Sequence, residues 1–404
     1  MLLQLGLAPA VATLCSALLF VPCVLKPLMR PWVIRVGHFR RQIHFVEALL
    51  FAGLVLLALS FGTNFSLFSF HFSLKAQPFF VFLALMLVSL LCAWHELAAR
   101  MYYERTLSPS FRRLLAVPKH ICSQVAVIFT YGALIFFVGM LQVYFRQIRY
   151  SWSLGCYVAA GLFLLFVFLH LMTLAPSPTS VACAPLRSAR DGGQGWRGLP
   201  VLILFLLLLP QALMFYARVL YLYGAHVHGG LQCTIQEIGF AQGTIGVIAF
   251  SVGLFLSRRL LIKEEKAKRL KYEMDNRGQA VTSTFHLFNF STLSLVLSPF
   301  VYLGMTLCPP QALWQLCLCT MTAQLLFGFG LGACRLPIRA ISGTRYRDTV
   351  SMLQIPLVSA VMIVPMAVSG WMVEQLGYST YFLVNALAAP VCLLLVFFLR
   401  RRRG

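Results

Sequence analysis

The chain has 404 residues, 60% of them hydrophobic and only 11% charged, with a mean hydropathy of +0.82 and a net charge of +22. So much apolar surface cannot be hidden inside one water-soluble globule, which excludes an ordinary soluble enzyme or binding domain. The positive excess does not point to nucleic acid either, because it is scattered over loops that a bilayer would hold beside anionic lipid.

A bilayer core needs about 20 apolar residues per helical span, and eleven runs supply them. The first, 5–28, has no basic residue before it and meets Lys26 only at its end, so it reads as a retained span rather than a cleaved signal. Runs 45–61, 77–99, 120–144 and 152–175 complete a first half of five spans. A linker rich in Pro, Ser, Gly and Arg, Pro176 to Gly198, then separates runs 199–223, 236–257, 281–304, 312–334, 349–373 and 380–399. Stretches such as Val201 to Leu209 are apolar at every position, which fits helices and not the alternating strands of a barrel. Between Arg258 and Ala280 charges of both signs mix, as on a short surface helix. The expected fold is therefore an all-α polytopic membrane protein of about eleven helices, with a bundle at 1–175, a linker at 176–198 and a second bundle at 199–404.

The basic residues alternate with the spans. Arg30 to Arg41, Arg100 to Lys119, Arg187 to Arg197, Arg258 to Arg277, Arg335 to Arg347 and Arg400 to Arg403 hold 28 of the 33 lysines and arginines. The intervening connections hold only Lys75, Arg146 and Arg149. Excess Lys and Arg mark the cytoplasmic side, so the C-terminus is expected inside and, with eleven spans, the N-terminus outside. If the architecture is two six-helix halves, the first helix is absent.

Ionisable residues inside spans are costly to bury and are functional candidates. His95, Glu96 and Arg100 lie near the cytoplasmic end of the third run, and the i, i+4 spacing of Glu96 and Arg100 suits an ion pair. That pair reads first as an interfacial clasp ending a helix, with a proton-responsive gate as the alternative. Arg218, toward the outer end of the sixth run, either snorkels to the interface or clamps an anionic solute. Lys26 and Glu47, the latter with His44 close by, read as interfacial. Gln211, Asn289, Gln324 and Asn385 fall nearer the middles of their spans, where they either bond neighbouring helices or line a cavity. Gly243, Gly246 and Gly253 permit close helix contact, and Pro365 and Gly370 in the tenth run join them as helix-packing or gating candidates. Twelve cysteines, mostly inside apolar runs, lack metal-type pairing. No phosphate-binding glycine loop with Lys and Ser/Thr is found, so ATP is not the evident energy source. No cofactor and no metal are expected.

Four segments together suggest a family. Gly239 to Gly253, GFAQGTIGVIAFSVG, resembles the eighth span of the AmpG muropeptide permeases of the major facilitator superfamily, and Pro365 to Tyr378, PMAVSGWMVEQLGY, resembles the end of its eleventh. Phe20 to Trp32, FVPCVLKPLMRPW, resembles the end of the second helix, and His95 to Tyr103, HELAARMYY, the end of the fourth. Departures stand beside these: Arg100 occupies the place of a second acid, and the sixth run offers chiefly Gln211 and Arg218 where the family's seventh helix is more polar. The resemblance implies a monomeric, proton-coupled uptake carrier in a bacterial inner membrane, with membrane lipid, a small solute and protons as its partners and no enzymatic activity. A carrier-derived protein that no longer transports, serving a regulatory or structural role, is the alternative.

Overall fold

The computed structural model describes residues 1–61, 66–67, 70–71, 77–174, 198–224, 229–274, 284–331, 334 and 347–401. All eleven apolar runs form helices. Ten of these are long and apolar enough to cross a membrane, and the eighth run forms a helix whose described apolar part is Ser291–Leu307.

The first run is one span in two pieces, α1 (Pro9–Leu18) and α2 (Val21–Val36), with Pro22 in the first turn of α2 where its missing N–H costs nothing. Gly37 and His38, both at positive φ, turn the chain into α3 (Phe39–Ser60). Arg40 and Arg41 are thus on a helix rather than in a loop. A two-residue hairpin, β1 (Ser66–Leu67) with β2 (Phe70–His71), pairs antiparallel before α4 (Gln77–Thr106). After α5 (Pro109–Leu114), the fourth span combines α6 (Ala116–Val127), a π-helical segment at Ile128–Ala133 and α7 (Leu134–Phe145). Arg146 in the left-handed region makes the short turn into α8 (Ile148–Thr173).

The expected linker at 176–198 lies outside the described residues except for Gly198, which opens α9 (Gly198–Tyr223). A capping box closes the start of α10 (Ile235–Ile238): Thr234 accepts from the Glu237 backbone while Glu237 reaches back to Thr234 N–H. A second π-helical segment, Gly239–Gly246, leads into α11 (Val247–Met274), which runs through the charged stretch expected to be a separate surface helix. α12 (Thr284–Leu307) and α13 (Leu313–Gly330) follow. The last two spans form α14 (Arg347–Arg401), divided by Gly377 at φ 72 and ψ 164, a conformation open to glycine.

The helices pack as two groups. In the first, α3 lies against α4 and α8, and α4 against α2; in the second, α14 lies against α9 and α12, and α13 against α11 and α12. Aromatic residues fill the second core, where Tyr221, Tyr302, Tyr378, Tyr381 and Phe382 are fully buried together. The outer surface is inverted relative to a soluble protein: Leu28, Phe45, Phe79, Met172 and Leu394 are exposed, as a hydrocarbon solvent permits.

Two seams join the groups. α1 and α2 pack on α14, and the π segment at Ile128–Ala133 packs on its counterpart at Gly239–Gly246, with α7 beside α10. At the first seam Thr13 Oγ1 donates to Ala367 O at 3.2 Å, and the Ala10 N–H donates to Glu374 Oε1 at 2.9 Å. A side chain on Gly370 would overlap Pro9 and Thr13. At the second seam a side chain on Gly243 would strike Tyr131 O, one on Gly132 would strike Thr244, and one on Gly139 would lie 2.7 Å from Gln236 N.

Candidate functional site between the bundles

The second seam places polar groups of both bundles together. Arg218 on α9 has its Nε buried without a hydrogen-bond partner, and its guanidinium lies 5.1 Å from the centroid of the Phe215 ring. Among the described residues no carboxylate pairs with it. Tyr131, on the π segment of the first bundle, is within electrostatic reach of Arg218 and of Tyr302 on α12, and Tyr216 is within reach of Tyr131. Tyr216 reaches the first bundle directly, donating its hydroxyl to Ser16 O at 2.8 Å, while Phe215 meets Phe20 edge-on at 6.0 Å. Arg218 therefore does not simply snorkel from a helix end; it sits among aromatic rings contributed by both bundles.

Beside it runs an amide relay. Gln324 Nε2 donates to Gln242 Oε1 at 3.2 Å, and Gln242 Nε2 donates to the Tyr302 hydroxyl at 3.1 Å, all three buried or nearly so. A side chain at Gly246 would press on Gln324 at 3.2 Å, so the absence of one leaves room for the amide. Such a chain orients several hydrogen-bonding groups at low entropic cost, and it is expensive to leave half satisfied. Gln242 carried no signal as a site residue in the sequence, where it is one polar residue in a glycine-rich run.

The other neutral polar candidates are helix glue. Gln211 donates to Leu295 O at 2.8 Å, tying α9 to α12, and Asn385 donates to Pro210 O at 3.1 Å, tying α14 to α9. Asn385 Oδ1 is buried without a partner. The side chain of Asn289 lies outside the described residues. Gly253 permits α11 to touch α13 at Phe329, and Pro365 lies within the first limb of α14.

A second cluster lies inside the first bundle, and here the expectations change. Glu47 is not interfacial: its side chain is 1% exposed and receives three imidazoles. His44 Nδ1 is 3.3 Å from Oε2, His95 Nε2 is 3.2 Å from Oε1, and His170 Nδ1 also contacts Oε1. Lys26 is likewise no surface anchor; it is buried and pairs with Glu96 across α2 and α4. Arg100 pairs one turn onward, Nε to Glu104 Oε1 at 3.0 Å. The contacts around Glu47 are hydrogen-bond contacts to three imidazoles.

No family model and no curated protein sequence matches the chain. Solved structures do. The D-xylose-proton symporter superposes with a TM-score of 0.64 at 13% identity, over 97% of this chain and 90% of that one. The nucleoside transporter NupG gives 0.63 at 13% identity over 99% and 93%, and a bacterial homolog of the human lysosomal transporter Spinster 0.64 at 13% over 98% and 90%. At such identity the likeness speaks for the fold. With ten membrane-length helices in two packed groups, the chain has the two-bundle fold of the major facilitator-type transporters.

Proposed function

We propose that the protein is a secondary active carrier that takes up a small amphiphilic, anionic solute of the muropeptide class by alternating access, coupled to protons. The observation that carries this reading is Arg218, a cation with a buried, unpartnered Nε held among aromatic residues of both bundles. Arg218 is half-buried, but a buried N–H left without an acceptor is costly, and a solute carboxylate would satisfy it through paired N–H donors. The aromatic faces and the Gln324–Gln242–Tyr302 relay suit the remainder of an amphiphilic solute. Glycine-mediated contact between two π segments is a seam that two bundles can rock about, and π geometry recurs at functional sites.

In this reading the carrier is a monomer in a bacterial inner membrane with its C-terminus cytoplasmic, in contact with anionic lipid and without nucleic acid or cofactor. The bundles comprise residues 1–175 and 199–404. The test is uptake of labelled anhydro-muropeptide into proteoliposomes with and without an imposed proton gradient. Gradient-dependent uptake is expected, with apparent affinity falling about 10- to 100-fold in Arg218→Ala, the scale of one charged hydrogen bond. Absence of gradient-dependent uptake would sink the proposal and favour a carrier-derived protein without transport.

A further inference from the structure

Nothing in the solute site uses Glu47, yet it is the most thoroughly enclosed carboxylate among the described ion pairs. It gathers three helices. His44 comes from its own α3, His95 from α4 and His170 from α8, 123 residues away in sequence. Imidazole is the side chain whose ordinary titration falls between about pH 5 and 8, and three of the chain's nine histidines converge on this one carboxylate.

The charge balance is simple. With every ring neutral, each donates one N–H to Glu47 and the group carries one negative charge in a place where an isolated charge is costly. A proton added to the lone pair of an outer ring nitrogen brings the group to neutrality, and its loss restores the anion. One outer nitrogen, His44 Nε2, is already buried without a partner. Among the described residues, few other charged groups lie on the helices at this end of the cluster. α4 brings Glu96, held by Lys26, and Arg100, paired with Glu104; α3 brings Arg40 and Arg41 one to two turns from Glu47. α8 brings only His170 to this end.

We infer that Glu47, ringed by His44, His95 and His170, is a proton-binding site whose occupancy is transmitted to the seam between the bundles. The route is contiguous. His95 and Glu96 are consecutive on α4, Glu96 grips Lys26 on α2, and α2 packs on α14 of the other bundle. Weakening or strengthening the hold of Glu47 on His95 shifts α4 relative to α3 and α8, and the buried Lys26 carries that shift to α2. The identification of the site stands on this geometry; its use in driving transport rests on the carrier reading above.

The test uses the full chain in lipid nanodiscs, with spin labels at Trp32 on α2 and Val364 on α14, both exposed, and no solute. Between about pH 8 and about pH 5 the distance distribution is expected to shift. In Glu47→Gln, which removes the counter-ion and keeps the shape, the shift is expected to vanish. His170→Gln, at the half-exposed edge of the cluster, is expected to reduce it and stands in if the first variant fails to fold. A wild-type distribution that ignores pH overturns the inference, as does a shift that survives both substitutions. Because no uptake is measured, a pH-dependent shift in a protein that transports nothing would refute the carrier and leave the site standing. Gradient-driven uptake unchanged by Glu47→Gln would do the reverse.

Discussion

Single residues carry their consequences through burial. Replacing Gln324 by Leu removes the donor to Gln242 Oε1 and strands part of the relay; interhelical hydrogen bonds in membranes average below 1 kcal/mol but a stranded buried amide costs more. A loss of about 1 kcal/mol is expected, read as a lower unfolding midpoint in detergent, whereas an unchanged midpoint would mean that water already serves the relay. Cys233, just before the Ile235–Leu260 span, has its thiol pushed up to about 11, first by burial and then by the Glu237 carboxylate beside it. The thiol, not the reactive thiolate, therefore predominates at neutral pH. Alkylation of Cys233 by a membrane-impermeant maleimide is expected to stay slow at about pH 8 and to rise toward about pH 11, with exposed Cys308 as the internal reference. Fast labelling of Cys233 near neutrality would show that its surroundings are open to water.

Elements decide how the bundles meet. At the α1–α14 seam Glu374 caps the first turn of α1 from the opposite bundle, accepting the Ala10 N–H at 2.9 Å. A carboxylate at a helix start contributes about 0.3–1 kcal/mol, so Glu374→Gln is expected to shift the closed-to-open ratio of this seam about two- to fivefold. Distance measurements between labels on α1 and α14 would read the shift, and a null result would reduce the contact to ornament. The π–π seam is closely packed through glycine. Gly243→Ala places a methyl group against Tyr131 O, and overpacking of this kind costs about 1–3 kcal/mol. Transport is expected to fall about tenfold or more without loss of expression, measured in the same proteoliposomes. Gly243, Gly246, Gly253 and Gly370 were legible in sequence as close-contact positions. Which helix each one meets was not, because a glycine says only that something is near.

At the scale of the whole molecule, the basic loops give a topology that a fusion can check. A green fluorescent protein joined to the C-terminus is expected to fluoresce and an alkaline phosphatase in its place to stay inactive, the signature of a cytoplasmic end; the opposite pair of results would invert every orientation argued from Lys and Arg. The two-bundle fold, found also in the xylose and nucleoside carriers, needed little beyond hydropathy. Spans are set by the thickness of a hydrocarbon layer and by the need of each backbone to satisfy its own hydrogen bonds, and both are properties of contiguous sequence. The intrahelical clasp expected between Glu96 and Arg100 is instead divided, Glu96 pairing with Lys26 on α2 and Arg100 with Glu104, because the nearer partner came from a neighbouring helix and from one turn onward. The three histidines around Glu47 and the aromatic shell around Arg218 were not legible, since each gathers side chains from helices far apart in the chain. The sequence by itself determined that the chain is a set of membrane helices with basic residues gathered on alternate connections, because those are local demands of the bilayer. Only the tertiary structure decided that Glu47 and Lys26 are buried and that Arg218 stands between the bundles, because burial in a membrane protein depends on which helices meet, and that is fixed by packing rather than by hydropathy.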